Sequence, residues 1–379
     1  MKQQESAPFI VDIVGSFLRP ARIKEARKER AAGLLSASAL RDIENEEIIR
    51  LVAQQKTAGI KGITDGEFRR AYWHLDFMEG IEGIEGYVPE QGYNQTFKGA
   101  ALPAYDVRIV GPLWFPADHP FIADFTFLKD AVGSEGEFIA KATIPSPSMV
   151  IRQELLAKLG SSRIDQIYPN REVFYDDLVQ TYQDAIQAFY AAGCRYIQFD
   201  DTNWAFLIDA EKRKSLVEKG MNPDEIAQLC TDIINRVLVA KPADMVITTH
   251  ICRGNHASAW IFSGGYEPIA EQLFATNYDG YFMEYDSDRS GGFEPLAKWR
   301  PGSGKVVLGL VTSKFPELED KDAIKAKIAE AAAYVPLASL CLSPQCGFSS
   351  TETGNKLGEE DQWKKMALIR EIAEEVWAV

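Results

Sequence analysis

The chain reads as an α/β protein, a (β/α)8 TIM barrel with an extra hairpin or lid insertion, and three observations carry that reading. Short apolar runs of β character alternate with longer stretches of helical periodicity from about residue 9 onward. Eight such runs can be counted, and strands joined by helices are parallel neighbours that close into a barrel when eight are present. The side chains able to do chemistry collect at the C-terminal ends of those runs, the face on which such barrels carry their sites.

Taken in order, the predicted strands span residues 10–17, 62–68, 138–144, 196–201, 245–252, 278–284, 306–312 and 337–342. Helical patterns fill 39–58, 172–192, 223–239, 267–275, 321–334 and 359–377. The third of these opens on Asn222-Pro223-Asp224-Glu225, a cap, a proline at the first turn and acids beside the positive end of the dipole. The stretch from about 79 to 133, rich in Gly, Tyr and Phe, is too long for a simple connection. A hairpin over 93–111 is expected there, covering one mouth of the barrel as a lid. No low-complexity linker interrupts the alternation, so 1–379 is expected to be one domain carrying that insertion.

Composition narrows the function. The formal charge is −14 over 379 residues, which argues against nucleic acid or an anionic membrane and in favour of a small-molecule partner. An apolar fraction of 46% and a charged fraction of 25% suit a soluble globular chain. Five cysteines in a chain this long do not form a secreted disulfide framework. Met1 to Ser6 lacks a signal pattern and no run approaches the ~20 apolar residues of a membrane span, so a cytoplasmic location is expected. Composition does not settle whether the chain forms a homo-oligomer.

The richest stretch is Val246-Ile247-Thr248-Thr249-His250-Ile251-Cys252, an apolar run that ends on His-x-Cys. Alternate residues of a strand share a face, so His250 and Cys252 can reach one point, and imidazole with thiolate suits zinc. Two more runs end in donors, Tyr281-Phe282-Met283-Glu284-Tyr285-Asp286 and Leu340-Cys341-Leu342-Ser343-Pro344-Gln345-Cys346-Gly347. Three strand ends thus offer His250, Cys252, Glu284 and Cys346. His256 competes with Glu284 as a ligand but lies in a polar loop. Cys341 reads as core, and Cys194 and Cys230 as packing residues. The pairs Gly264-Gly265 and Gly291-Gly292 read as loops, since neither opens a strand-turn-helix phosphate cradle.

At these residues the chain resembles the cobalamin-independent methionine synthase family, specifically its C-terminal catalytic barrel in a short single-barrel form. The matching motifs are Gly15-Ser16, Asp65-Gly66-Glu67-Phe68, Ile197-Gln198-Phe199-Asp200, Thr249-His250-Ile251-Cys252, Glu284 and Pro344-Gln345-Cys346-Gly347. The resemblance implies zinc held by His250, Cys252, Glu284 and Cys346, with a substrate thiol entering the coordination sphere. It implies homocysteine as that thiol, its carboxylate held by Gly15 and Ser16 and its ammonium by Glu67 and Asp200. A thiol on zinc loses its proton, so the metal would activate sulfur rather than water. Asp200 and Asp201 are adjacent and point to opposite faces, so one is free to serve substrate while the other caps the next segment. Glu67 paired with Arg69 or Arg70 as a surface acid is the alternative for that residue.

The donor half of the resemblance fades. The acid expected a few residues after the Ile-Gln-x-Asp motif falls near Phe206, and the aromatic expected after the third strand meets Pro147-Ser148-Met149-Val150-Ile151-Arg152-Gln153. Where a general-acid histidine belongs after the seventh strand, the chain offers Lys314 or Ser313. A reduced-folate amine leaves poorly unless protonated, so the methyl donor, 5-methyltetrahydrofolate or another, stays open. Arg19, Arg69, Arg70 and Trp73 sit near the same mouth and suit a donor or a sulfonate. Two further readings follow: an alkyltransferase acting on another thiol such as coenzyme M, and a barrel that binds metal or thiol without turnover. A water-activating hydrolase ranks below these, because two thiolates and a carboxylate make the ion a poor Lewis acid.

Overall fold

The structure, a computed structural model, describes residues 6–88, 105–134, 137–157 and 164–378. Its strands are Gly62–Ile63 (β1), Glu82–Tyr87 (β2), Asp106–Trp114 (β3), Ile139–Pro145 (β4), Tyr196–Asp201 (β5), Val246–Ile251 (β6), Gly280–Glu284 (β7), Lys305–Val311 (β8) and Leu340–Pro344 (β9). Seven of them form one parallel sheet in the order β1-β4-β5-β6-β7-β8-β9. Adjacent neighbours in chain order, joined through helices, are the pattern expected of a TIM barrel.

The first predicted strand, 10–17, is the eighth stave, though it forms no continuous ladder. The Leu342 amide donates to Ile10 O at 2.7 Å and the Asp12 amide to Leu342 O at 3.1 Å, while the Phe17 amide donates to Gly66 O at 3.1 Å. The segment therefore bridges the two edge strands, pairing Val11 with Leu342 and Ser16 with Gly66. Gly15, at φ 144°, turns the backbone out of strand geometry between those bridges. The second predicted strand, 62–68, stops after Ile63 for a similar reason. Asp65 Oδ1 accepts from the Glu67 amide at 2.8 Å and Gly66 and Glu67 both take positive φ, which makes a turn of the Asp-Gly-Glu motif.

The insertion holds an antiparallel hairpin, but its first strand lies upstream of the expected position. Glu82–Tyr87 pairs with Asp106–Trp114, so the predicted hairpin over 93–111 is correct only in its second strand. Its part from 93 to 104 lies outside the described residues. The alternating run from Glu82 to Tyr87 supplies the missing partner. The helix Pro120–Val132 then leads back to the sheet. Other helices that the periodicity did not single out are Ala21–Ala31, Pro147–Ala157, Asn203–Ile208 and Ala210–Glu218. The expected cap at Asn222 is present, its side chain accepting from the Asp224 amide. Among the described residues no helix is long and apolar enough to cross a membrane.

Strand register sorts the barrel into two faces. Lys141, Thr143, Gln198, Asp200, Thr248, His250, Phe282 and Glu284 alternate with apolar residues that pack outward against the helices. Among these polar side chains lie a small apolar cluster, Val14, Phe282, Val307 and Cys341, and the ring of Tyr196. Lys141 lies fully buried, its ammonium 3.1 Å from Asp12 Oδ1 and over the rings of Tyr196 and Phe282 at 4.6 and 4.3 Å. A charge so placed requires its partner, because an unpaired buried ion is costly. Lys141 lies near the amino-terminal end of its strand, and the site lies at the carboxyl ends.

Candidate active site

His250 is the penultimate residue of β6, with Cys252 immediately beyond the strand and Cys346 two residues past the end of β9. All three are buried, and their donor atoms lie within 4.8 Å of one another, a grouping able to hold a metal ion. The two sulfurs are 3.9 Å apart. Zinc–sulfur bonds of about 2.3 Å at tetrahedral angles place two thiolates about 3.8 Å apart, so this spacing fits one zinc, whereas a disulfide requires about 2.05 Å. Their hydrogen bond pulls the Cys252 thiol down to about 7, with burial opposing, and together with burial holds Cys346 well above the usual thiol range.

Glu284, at the end of β7, brings Oε1 to 3.7 Å from His250 Nε2. The same oxygen accepts from the Arg253 amide at 3.0 Å and from Asn255 Nδ2 at 2.7 Å, while Oε2 takes Arg289 Nη2 at 2.6 Å. Burial raises its pKa, but Arg289 and His250 more than offset this and hold the carboxyl down at about 2. Glu284 is therefore an anchored anion beside the three soft donors, and a carboxylate oxygen keeps lone-pair capacity for a metal. The competing ligand His256 turns elsewhere, with Nδ1 3.1 Å from Thr351 Oγ1.

Of the residues expected to bind an amino acid, Ser16, Glu67 and Asp200 line one cleft with Trp73, the three soft donors and their neighbours, and Gly15 adjoins it next to Ser16. Gly15 is required in its place: at its φ of 144°, a Cβ would stand 2.7 Å from Thr143 Cγ2. Ser16 Oγ accepts from the Ser349 amide at 3.3 Å, which ties the first stave to the loop after β9. Glu67 is 4% exposed and is no surface acid. Burial pushes its carboxyl up to about 7 against the pull of Arg70 and Arg19. Oε1 takes Thr143 Oγ1 at 3.2 Å and Arg70 Nη1 at 3.4 Å, and Oε2 has no hydrogen-bond donor among the described residues. Glu67 also holds φ 60°, the left-handed region that an ordinary side chain adopts under constraint.

Asp200 and Asp201 divide their work. Asp201 Oδ1 accepts from the amides of Asn203 and Trp204 at 2.8 and 3.4 Å, capping the following helix. Asp200 lines the cleft, and both of its side-chain hydrogen bonds among the described residues end on Oδ1: Gln198 Nε2 at 2.7 Å and His250 Nδ1 at 3.2 Å.

The arginines near the mouth are committed. Arg19 Nη1 donates to the carbonyls of Phe17 and Ser349 at 3.2 and 2.7 Å, and Nη2 to that of Arg70 at 3.3 Å. Arg69 meets Glu44, Asn45 and Asp124. Lys314 is 3% exposed and forms an ion pair with Asp286 at 2.8 Å, on the Arg289 side of Glu284. Burial lowers its pKa and Asp286 opposes that. Phe206 packs edge-to-face on Phe262, and 147–153 lies in the helix Pro147–Ala157. Sequence reasoning missed Arg289, Asn255 and Lys141. A lysine inside the apolar run Ile139–Pro145 is a signal for the last, while Arg289 and Asn255 sit in loops with no period to mark them.

Fold and site together define a parallel α/β barrel that gathers soft, metal-competent donors at the carboxyl ends of its strands. The chain belongs to the cobalamin-independent synthase catalytic domain family, whose profile matches residues 156–374. It is 46% identical over 376 residues to the uncharacterised protein YxjG of Bacillus subtilis strain 168, covering 99% of this chain and 96% of that one. A Listeria monocytogenes structure, provisionally described as a vitamin-B12 independent methionine synthase, superposes with a TM-score of 0.78 at 43% identity over 98% of this chain and 99% of that one. A B12-independent methionine synthase from Shewanella sp. W3-18-1, solved with selenomethionine, shares the fold at a TM-score of 0.69 and 17% identity, with 97% of each chain covered.

Proposed function

We propose that the protein is a zinc-dependent S-methyltransferase that activates the thiol of homocysteine for methyl transfer, giving methionine. The observation that carries this reading is the 3.9 Å sulfur pair of Cys252 and Cys346 beside His250, at the floor of a cleft with two carboxylates. His250, Cys252, Cys346 and Glu284 would hold the ion. When bound, zinc supplies the Lewis acidity that keeps an added thiol ionised at neutral pH.

The chain's own residues select an amino acid. Among the described residues Glu67 Oε2 is buried without a hydrogen-bond donor, with Arg19 Nη2 4.0 Å away, and the side-chain hydrogen bonds of Asp200 fall on Oδ1 alone. A substrate ammonium supplies the missing hydrogen bonds, and a thiol without an amine leaves those acids unsatisfied. Ser16 lines the same cleft and, with the backbone of Gly15 adjoining it, suits the carboxylate. In the transfer, the substrate sulfur forms a bond to the methyl carbon as the donor–methyl bond breaks, and the electron pair leaves with the donor. Lys314 is the residue offered to protonate a basic leaving group, and its Asp286 partner would have to release it first. The donor itself, folate or other, is not assigned.

The coenzyme M alternative loses support from the same geometry, since both Nη atoms of Arg19 donate to backbone carbonyls and Arg69 is paired with Glu44 and Asp124. A non-catalytic barrel would bind thiol tightly and turn over no donor. The test is the metal content of reduced protein purified without chelators, compared with Cys346→Ser, alongside methionine formation. About one zinc per chain, lost together with activity in the variant, supports the reading. A metal-free protein that retains full activity sinks it.

A further inference from the structure

We propose that Gln198 is a positioning residue. Acting through Asp200, it holds His250 in the tautomer that turns Nε2 toward the metal, and it keeps the ammonium-binding carboxylate in register with the Gly15–Ser16 turn. The inference deepens the zinc and homocysteine reading above and rests on it.

Gln198 sits on β5 two residues before Asp200, on the same face, and is completely buried in the barrel interior. Its two amide protons have two acceptors: Val14 O at 2.6 Å and Asp200 Oδ1 at 2.7 Å. The orientation of the amide follows from those partners, because a flip would set its carbonyl against two other oxygens. One side chain thus ties the residue just before Gly15 to the acid that faces the cleft.

Asp200 passes the constraint on. Its Oδ1 stands 3.2 Å from His250 Nδ1, and an ionised carboxylate only accepts, so the proton of the neutral imidazole belongs on Nδ1. With zinc bound as proposed, the lone pair is then on Nε2, which stands 3.4 Å from Gln345 O and 3.7 Å from Glu284 Oε1, two acceptors between which a cation takes the place of a proton. A carboxylate behind a ligating histidine fixes both tautomer and ring orientation, and removing such a partner typically weakens metal binding by roughly 10–100-fold. Gln198 extends the chain by one link: without its donor, Asp200 Oδ1 loses one of two hydrogen bonds and Val14 O is left buried without its partner.

The experiment measures zinc affinity by competition with a chromophoric chelator for the full chain, Gln198→Met, Asp200→Ala and the double variant, with thermal midpoints recorded in parallel. If Gln198 acts through Asp200, Gln198→Met weakens zinc binding by roughly 10-fold or more, and the double variant is no weaker than Asp200→Ala alone. Zinc affinity within about twofold of wild type, or losses that multiply in the double variant, overturns the proposal. Imidazole 15N shifts of the zinc-loaded wild type supply a readout that needs no variant. A proton on Nδ1 of His250 supports the proposal, and a proton on Nε2 overturns it. A wild-type chain that binds no zinc sinks the metal reading itself, and this inference with it; normal wild-type binding with an unaffected Gln198→Met sinks this inference alone.

Discussion

Replacing Glu67 by Gln isolates the cost of burying an acid at the cleft. Burial lifts the Glu67 carboxyl from an ordinary 4.5 to about 7, with Arg70 and Arg19 only partly compensating. Between those two values the folded protein holds a proton that the unfolded chain has released, so stability falls as pH rises. The slope is about 1.4 kcal/mol per pH unit, and over the interval the wild type loses on the order of 3 kcal/mol relative to a variant that cannot titrate there. Glu67→Gln keeps the volume and an acceptor for Thr143. Urea unfolding of both proteins at intervals from pH 4.5 to 8.5 gives the difference directly, with every other titrating group cancelling. The expected curve is flat below about pH 4.5, falls through the interval in the variant's favour and levels above about pH 7. The same variant binds homocysteine more weakly. Parallel stability curves for the two proteins would refute the claim that Glu67 is held as a strained, desolvated acid.

Three further outcomes are expected. Lys141→Met removes the cation paired with the buried Asp12 carboxyl and costs about 3–5 kcal/mol in urea unfolding, although the residue lies below the cleft. Gly15→Ala forces a Cβ toward Thr143 at a positive φ; it lowers stability by about 1–3 kcal/mol and raises the KM for homocysteine more than it lowers kcat. Coenzyme M fails to displace homocysteine in competition calorimetry even at large excess, because the mouth arginines are already engaged.

Much of this architecture is legible in the residues. The parallel staves β4 to β9 fall where apolar runs end in His250, Glu284 and the Pro-Gln-Cys turn, since strands buried on both faces write themselves as continuous apolar sequence. The first two staves are less legible. Gly15 and the Asp65-Gly66-Glu67 turn spend backbone on the site, and a φ of 60° at Glu67 is a tertiary effect that no local pattern announces. The hairpin was misplaced because Glu82–Tyr87 carries two glycines that dilute its alternation. The candidate ligand residues could be picked from strand ends, whereas the groups that orient them could not. Arg289 and Asn255 reach Glu284 from loops, and Gln198 shows its role only once Val14 and Asp200 are brought to either side of its amide.

The measurement closest to the central claim is a calorimetric titration of reduced, zinc-loaded protein with L-homocysteine in buffers of different ionisation enthalpy, which counts the protons exchanged on binding. Ionisation of the thiol at the site predicts about one proton released per homocysteine bound, and none from the zinc-free protein or Cys346→Ser. Tight binding without proton release would show that homocysteine enters the cleft as an ordinary thiol, and would contradict the assignment of His250, Cys252 and Cys346 as its activating site.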